Sequence, residues 1–421
     1  MRITPRTRAR SARWWPVFAV AAVARGLYWA LVTPHWQPRS DAVQYWGLGY
    51  ALSNGDGFSM VFPQLEMHAT AFRPPLYPVL LVPGSFLFDQ ALWPHRLLNL
   101  LIGSAVAVLA GVLAARIGGR RAGVVAGLVV ALYPPLIAND TVTLTEPLAL
   151  LLLLAAMLAA DERRWALAGA SCGLLLLTRP NGYLVVAVLA AWVWRQAGWR
   201  RGLGLAGVAL LVVFPWLVRN QVQVGTWRLT TSDGFTIAAV YNTPAQEAGN
   251  FVDPVFSPAY SDLDHRFAQF DEVEWNDKLT SESIEALKGN KRYVGTVLVR
   301  NAKGYFELDP SLNRYPERVD GRRWGFRQAM LPLFFAVTAA GLVGLAQRWR
   351  DPRVVVLALL TAQFVALSLL LVAPPRLRAP FDLAMCIGVG LLVAWVLDRR
   401  RSHGGAPTDA ERPFEPVGVG P

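Results

Sequence analysis

Two carboxylates and a group of arginines stand where they could act together. Asp41 lies in SDAVQYW just past the first long apolar run, and Glu146 opens another apolar run in LTEPLALL. A carboxylate beside a hydrophobic segment can take a proton from a hydroxyl group as a general base. Arg73 in RPPLYP, Arg179 in LTRPNG, Arg219 in PWLVRN, and Arg376 and Arg378 in PPRLRAPFD all sit at the ends of apolar runs, most beside proline or aromatic residues. A guanidinium fork matches phosphate oxygens, so these five, with Tyr77 of RPPLYP, point to an anionic, phosphate-bearing ligand. Simpler roles exist for each. Asp41 follows Ser40 and could serve as a helix cap or first-turn acid, Thr145 or Glu146 could cap a helix opened by Pro147, and a lone arginine can snorkel to lipid headgroups. Glu66 and His68 form two candidate metal ligands without a third, so no cofactor is expected.

The elements that must hold these residues are membrane spans. Apolar residues make up 54% of the 421-residue chain and charged residues 17%, and several runs approach the ~20 apolar residues that cross a bilayer. The net charge of +12 lies in short clusters between those runs, which is the positive-inside pattern and not a nucleic-acid-binding stripe. Cys172 and Cys386 both fall inside expected spans and read as packing residues, which excludes a disulfide framework. After the basic segment Met1–Arg13 comes a first span from Trp14 to about Val32, read as uncleaved, whose Arg25 must face the bundle or a wet cavity. Leu76–Phe88 is broken by Pro78 and Pro83 and covers only about 20 Å as helix, so it reads as a re-entrant or tilted half-helix. Further spans are expected at 96–116, 121–138, 144–160, 165–178, 181–195, 202–218, 327–347, 353–373 and 380–397.

With ten spans, all the basic clusters fall on one side: Arg116/Arg120/Arg121, Arg163/Arg164, Arg195/Arg200/Arg201, Arg348/Arg350/Arg353 and Arg399/Arg400/Arg401. The charge bias makes that side cytoplasmic, together with both termini, and places Asp41 and the five span-end arginines on the outer face of a plasma membrane. The expected organisation is an N-terminal membrane module (1–218) with a first outer loop at 34–78, an outer insert (219–326), C-terminal spans (327–401) and a disordered tail (402–421). The insert holds the only four lysines, Lys278, Lys288, Lys291 and Lys303. Its start, TWRLTTSDGFTIAAVYN, reads as a hairpin around Asp233-Gly234, and the pattern turns helical from Ser261, giving a small α+β unit. The sequon at Asn139-Asp140-Thr141 reads as chance.

The order of motifs SDAVQYW, RPPLYP, LTEPLALL, GLLLLTRPNG, FPWLVRN with VGTWRLTTSDG, and PPRLRAPFD resembles the GT-C membrane glycosyltransferases, of the dolichyl-phosphate-mannose protein mannosyltransferase and aminoarabinose transferase type. The resemblance implies an all-α polytopic GT-C bundle and transfer of a sugar, with inversion, from a polyprenyl-phosphate donor on the outer face. It matches Asp41 to the first-loop catalytic acid and Glu146 to the second acidic position. Arg73, Arg219 and Arg378 fall where basic residues near the lipid phosphate are expected. Many relatives carry a second acid directly after the first; here that residue is Ala42. The expected partners are the lipid-linked donor, membrane lipids and an acceptor that is protein, lipid or cell-wall glycan. The competing functions are a transporter or flippase for lipid-linked saccharides and a non-catalytic envelope assembly protein.

Overall fold

The computed structural model describes residues 14–62, 66–260 and 271–404. The basic segment Met1–Arg13, the start of the helical pattern at Ser261 and the tail beyond Gly404 lie outside the described residues. The described residues are mostly helical, and four of the described helices are long and apolar enough to cross a membrane: Trp93–Leu132, Trp199–Val224, Pro352–Leu370 and Pro375–Arg400. Shorter apolar helices, Trp15–Leu31, Leu76–Phe88, Trp165–Leu176 and Leu331–Ala346, pack among them. At 1.5 Å per residue the twelve residues of Trp165–Leu176 reach only about 18 Å. The run Trp93–Leu132 is two helices, matching the spans expected at 96–116 and 121–138, that fold back on each other at the non-helical Gly119, where φ is 81°: a Cβ on Gly123 would lie 2.6 Å from the Gly111 carbonyl oxygen and one on Gly127 3.2 Å from that of Ala107. The short helix Pro134–Asp140 follows. Glycine takes that left-handed conformation without a Cβ clash, so the chain turns there without a loop.

The apolar core runs through the bundle from Val17 and Ala21 to Leu391 and Ala394. Small residues let its last helices approach closely. A Cβ on Gly344 would lie 1.9 Å from the carbonyl oxygen of Gly388, so any side chain there would force Leu331–Ala346 and Ala379–Gly404 apart. Cys172 and Cys386 are buried, unpaired packing residues. Arg25 is 0% exposed: its Nε donates to Asp140 at 2.7 Å and its Nη1 to the carbonyl oxygens of Ala21 and Ala131. It faces the bundle. Asn139, Asp140 and Thr141 are all buried, which closes that sequon to glycosylation.

Glu146 and Asp161 bound one helix, about 22 Å apart along its axis. At the Asp161 end, Arg116 and Arg353 pair with Asp161, and Arg116 also pairs with Glu162. At the Glu146 end gather the chemical residues. The first loop is built there from the helix Asp41–Asn54, a two-stranded antiparallel ladder pairing Ser59 with Ala69 and Met60 with His68, and the half-helix Leu76–Phe88 with Pro83 inside it.

The hydrophilic segment 219–326 packs over this loop. Phe58 and Phe72 pack into a second core with Trp216, Leu229, Ala238, Trp275 and Leu279. Full burial of side chains this size stabilises by roughly 1.5–3 kcal/mol each, enough to hold the loop onto the helices Asp233–Tyr241 and Glu272–Gly289. The hairpin expected around Asp233-Gly234 is instead the start of the first of these helices. Asn276 accepts a hydrogen bond from the Gly234 amide at 2.7 Å, satisfying a helix N-terminus that a turn would not have. Among the described residues the insert contains helices and no strand.

Candidate active site

Ser40 precedes Asp41 with φ 49°, a conformation that non-glycine residues seldom adopt. It makes no side-chain cap to the helix it precedes. Asp41 does not cap either. Its two oxygens accept from different arginines, Oδ1 from Arg73 and Oδ2 from Arg376. Arg73 also donates from Nε to Gln44 Oε1 at 2.6 Å and lies over the rings of Tyr45 and Phe72. The half-helix completes this wall with Tyr77, which is fully buried and edge-on to Tyr45 at 5.5 Å.

Glu146 opens its helix after Thr145, which makes no side-chain cap. The carboxylate reaches sideways: Oε1 accepts from Arg179 Nη1 at 3.1 Å and faces Arg376 Nη1 at 3.7 Å. The third nitrogen of Arg376, Nε, faces Asp320 Oδ1 at 3.5 Å. One guanidinium therefore addresses three carboxylates from three parts of the chain, and Arg73 and Arg179 complete a set of three acids and three bases. Glu146 is 3% exposed and Asp41 21%, so the cluster opens towards solvent on the Asp41 side.

Burial pushes the Asp41 carboxyl up, but the guanidinium groups of Arg73 and Arg376 outweigh it and hold the carboxyl well below the usual carboxylate range. Asp320 behaves in the opposite way. Burial raises it to about 6, against the pull of Arg376 and Arg322.

Of the five arginines read from the sequence, the structure brings Arg73, Arg179 and Arg376 together. Arg219 is elsewhere, donating to the carbonyl oxygens of Thr70 and Phe58 and lying over the Phe58 and Trp216 rings, where it ties the first loop to Trp199–Val224. Arg378 is buried among Glu307, Asp382 and the Tyr305 carbonyl oxygen, at the join between insert and last helix. Glu66 meets His68 only through its main-chain carbonyl oxygen. The other ring nitrogen of His68 lies 3.0 Å from Glu272, which also accepts from the hydroxyls of Thr70 and Thr231 and the amide of Ala71. Burial pulls the His68 imidazole down, but the bond to Glu272 and the Glu66 carbonyl outweigh it and raise it. Among the described residues, no group of three or more His, Cys, Asp or Glu side chains is placed to hold a metal ion.

Nothing in the sequence marks Asp320 as a member of this cluster. It sits in RVDGRR within the hydrophilic insert, with no apolar run beside it to mark it.

No protein-family model and no curated protein matches the chain. Solved structures do. The oligosaccharyltransferase of Archaeoglobus fulgidus tethered to an acceptor peptide aligns with TM-score 0.53 and 14% identity over 93% of this chain and 50% of that one. The same archaeal enzyme, AglB, in complex with an inhibitory peptide and a dolichol-phosphate aligns with TM-score 0.51 and 15% identity over 96% of this chain and 53% of that one. ArnT from Cupriavidus metallidurans bound to undecaprenyl phosphate superposes more loosely, with TM-score 0.38 and 16% identity over 92% and 78%. The chain spans about half the length of the archaeal structures. At such identity the likeness is one of architecture: this chain is a multi-pass membrane protein with the fold of the GT-C glycosyltransferases.

Proposed function

We propose that the chain is an inverting glycosyltransferase that moves a sugar from a polyprenyl-phosphate donor to an acceptor hydroxyl on the outer face of the membrane. The observation that carries this reading is the clamp of Asp41 between Arg73 and Arg376. A dolichol-phosphate bound to a structure of this fold supports the class of donor. The end of the bundle holding Asp41 lies opposite the Arg116/Arg353 end, and the positive-inside rule puts the latter in the cytoplasm.

The clamp gives the mechanism its order. In the resting site Asp41 is a poor base, because two guanidinium groups stabilise its anion. A donor phosphate competes for Arg73, Arg179 and Arg376, and each hydrogen bond it takes from Asp41 raises the basicity of that carboxylate. Asp41 is thus freed as a base only when donor is bound. The acceptor oxygen then attacks the anomeric carbon from the face opposite the phosphate while Asp41 takes its proton. The carbon–oxygen bond to phosphate breaks, its electron pair leaves with the polyprenyl phosphate, and the arginines stabilise the growing charge. Glu146 keeps Arg179 and Arg376 in place from behind. In this reading the cationic charge comes from guanidinium groups, so EDTA should leave the rate unchanged.

The test is to incubate the purified chain with a panel of polyprenyl-phosphate sugars and assay free polyprenyl phosphate. Release that falls by orders of magnitude in Asp41→Asn, with the unfolding midpoint kept, supports the assignment. Near-normal release by that variant removes Asp41 as the base, and movement of intact donor between leaflets without release favours a flippase.

A further inference from the structure

Close to the Asp41 cluster is a cavity of about 500 Å³, between the first loop and the segment 314–324 of the insert. Arg39, Arg314, Arg318 and Arg322 line it, with His35 and Gln37 supplying further polar edges, and no acidic residue lines it. Arg39, Arg314 and Arg318 are exposed and have no ion-pair partner among the described residues. Arg322 is buried. Its Nη2 pairs with Glu317 at 3.2 Å and its Nη1 donates to Asn139 at 3.0 Å, but its Nε has no hydrogen-bond partner. The contrast with the neighbouring cluster is sharp: there Arg73, Arg179 and Arg376 face three carboxylates, whereas of the four arginines lining this cleft only Arg322 is paired, with Glu317, which is not part of the lining.

The cavity is also coupled to the Asp41 cluster. The Trp36 indole forms its wall and donates to the Asp320 carbonyl oxygen at 3.0 Å, while the Asp320 side chain faces Arg376. Gly321 makes this fit possible. Its φ is 71°, and a Cβ on it would lie 2.5 Å from Trp36 Nε1. Arg39 is two residues from Asp41. An anion held by the four arginines therefore leaves the rest of its molecule beside the Asp41 carboxylate. Only Trp36 and Trp324 offer apolar surface in the lining, which is too little for a prenyl chain. The volume falls within the range of sites that enclose a small ligand.

We propose that this cleft is the acceptor subsite, and that it selects an acceptor whose hydrophilic headgroup or glycan carries a phosphate or carboxylate. Its role as acceptor subsite rests on the transferase reading; its binding of anions does not. Selection works by charge, so affinity falls as salt rises.

The test uses the full chain in detergent and four probes: glucose 6-phosphate, glucuronate, neutral glucose and undecaprenyl phosphate, each measured by calorimetry. The expected result is that one or both anionic sugars bind, glucose does not, and the double variant R314E/R318E weakens the anionic probes at least tenfold. Undecaprenyl phosphate should bind that variant as it binds the parent. An unchanged unfolding midpoint verifies folding, and R314Q/R318Q, which should lose affinity in the same direction, serves if the charge reversal does not fold. Equal binding of glucose, or anion affinity unaffected by either variant, overturns the proposal. So does loss of undecaprenyl phosphate binding together with the anionic sugars, which would give the cleft to the donor. If the anionic sugars bind through Arg314 and Arg318 but no polyprenyl-phosphate sugar is ever cleaved, the transferase reading fails and the anion site stands without its acceptor role.

Discussion

Arg376 presents a different nitrogen to each of three carboxylates, and its shortest contact is the bond from Nη2 to Asp41. Lysine has the same charge but a single nitrogen on a flexible stem, so it can satisfy one of the three at a time. Arg376→Lys should therefore lower turnover about 100-fold while keeping the unfolding midpoint close to that of the parent. Arg376→Ala leaves Asp41, Glu146 and Asp320 facing one another and should in addition cost about 3 kcal/mol of stability. Release of polyprenyl phosphate and thermal unfolding in detergent measure the two effects. Equal turnover in parent and lysine variant would remove the guanidinium geometry from the mechanism.

Asp320 gives the cluster a pH dependence of stability with a definite sign. Its carboxyl ordinarily titrates near 3.8 and is raised to about 6 in the folded chain, with burial the largest cause. Between those values the folded state binds more protons than the unfolded one, so stability falls as pH rises from about 4 to about 6 and then levels. Asp320→Asn cannot titrate. The difference in unfolding midpoint between the parent and this variant should change across that window and be constant above pH 7. A constant difference from pH 4 to pH 8 would show that Asp320 is not perturbed.

The line between what was legible and what was not follows from what parity can sort. Apolar runs and basic clusters assign each polar residue to one end of the bundle, and the structure gathers Asp41, Glu146, Arg73, Arg179 and Arg376 at one such end. Parity says nothing about lateral position. Arg219 and Arg378 lie at span ends too, but each is turned into a local network, one under the Phe58 loop and one against Glu307. Arg25 was legible as an interior charge because lipid would not tolerate it; its partner Asp140 was not, being 115 residues away. The Asp233-Gly234 turn signal failed because Asn276, from a distant helix, satisfies the Gly234 amide and lets a helix begin there. Local propensity gave way to a tertiary contact. Asp320 was hidden for a simpler reason: acids are common in a hydrophilic insert, and only the fold distinguishes this one.

The His68–Glu272 contact should make the first loop pH-sensitive. The imidazole is raised from its ordinary 6.5, with burial opposing and the Glu272 bond favouring the charged form. Its contribution is complete below 6.5 and is lost as pH rises through the folded value. Protease cleavage within the loop should accelerate between pH 6 and pH 8.5 in the parent. His68→Gln should be cleaved at one rate throughout, since the glutamine can still hydrogen-bond Glu272 but carries no proton to lose. A parent rate independent of pH would mean that the ion pair does not hold the loop.

The Arg25–Asp140 pair separates stability from catalysis. Both side chains are buried, with no hydrogen bond or ion pair to Asp41 or its arginines, and are joined by Nε at 2.7 Å and Nη2 at 2.6 Å. Arg25→Leu strands the Asp140 carboxylate among apolar helices, and breaking a buried pair from one side typically costs about 3–5 kcal/mol. Removing both charges is far milder, because the desolvation of both ions is relieved along with their attraction. The partner position must stay small: a Cβ on Gly103 would already lie 2.2 Å from the Asp140 side chain, so Asp140→Ala is the compatible choice. The expected order of unfolding midpoints is parent, then Arg25→Leu/Asp140→Ala, then Arg25→Leu. Turnover per folded molecule should be unchanged in the double variant, since neither residue touches Asp41 or its arginines. A double variant no more stable than Arg25→Leu would show that Asp140 is not the charge left exposed to lipid-like surroundings. Lost turnover at full folding would instead place this pair within the reaction site.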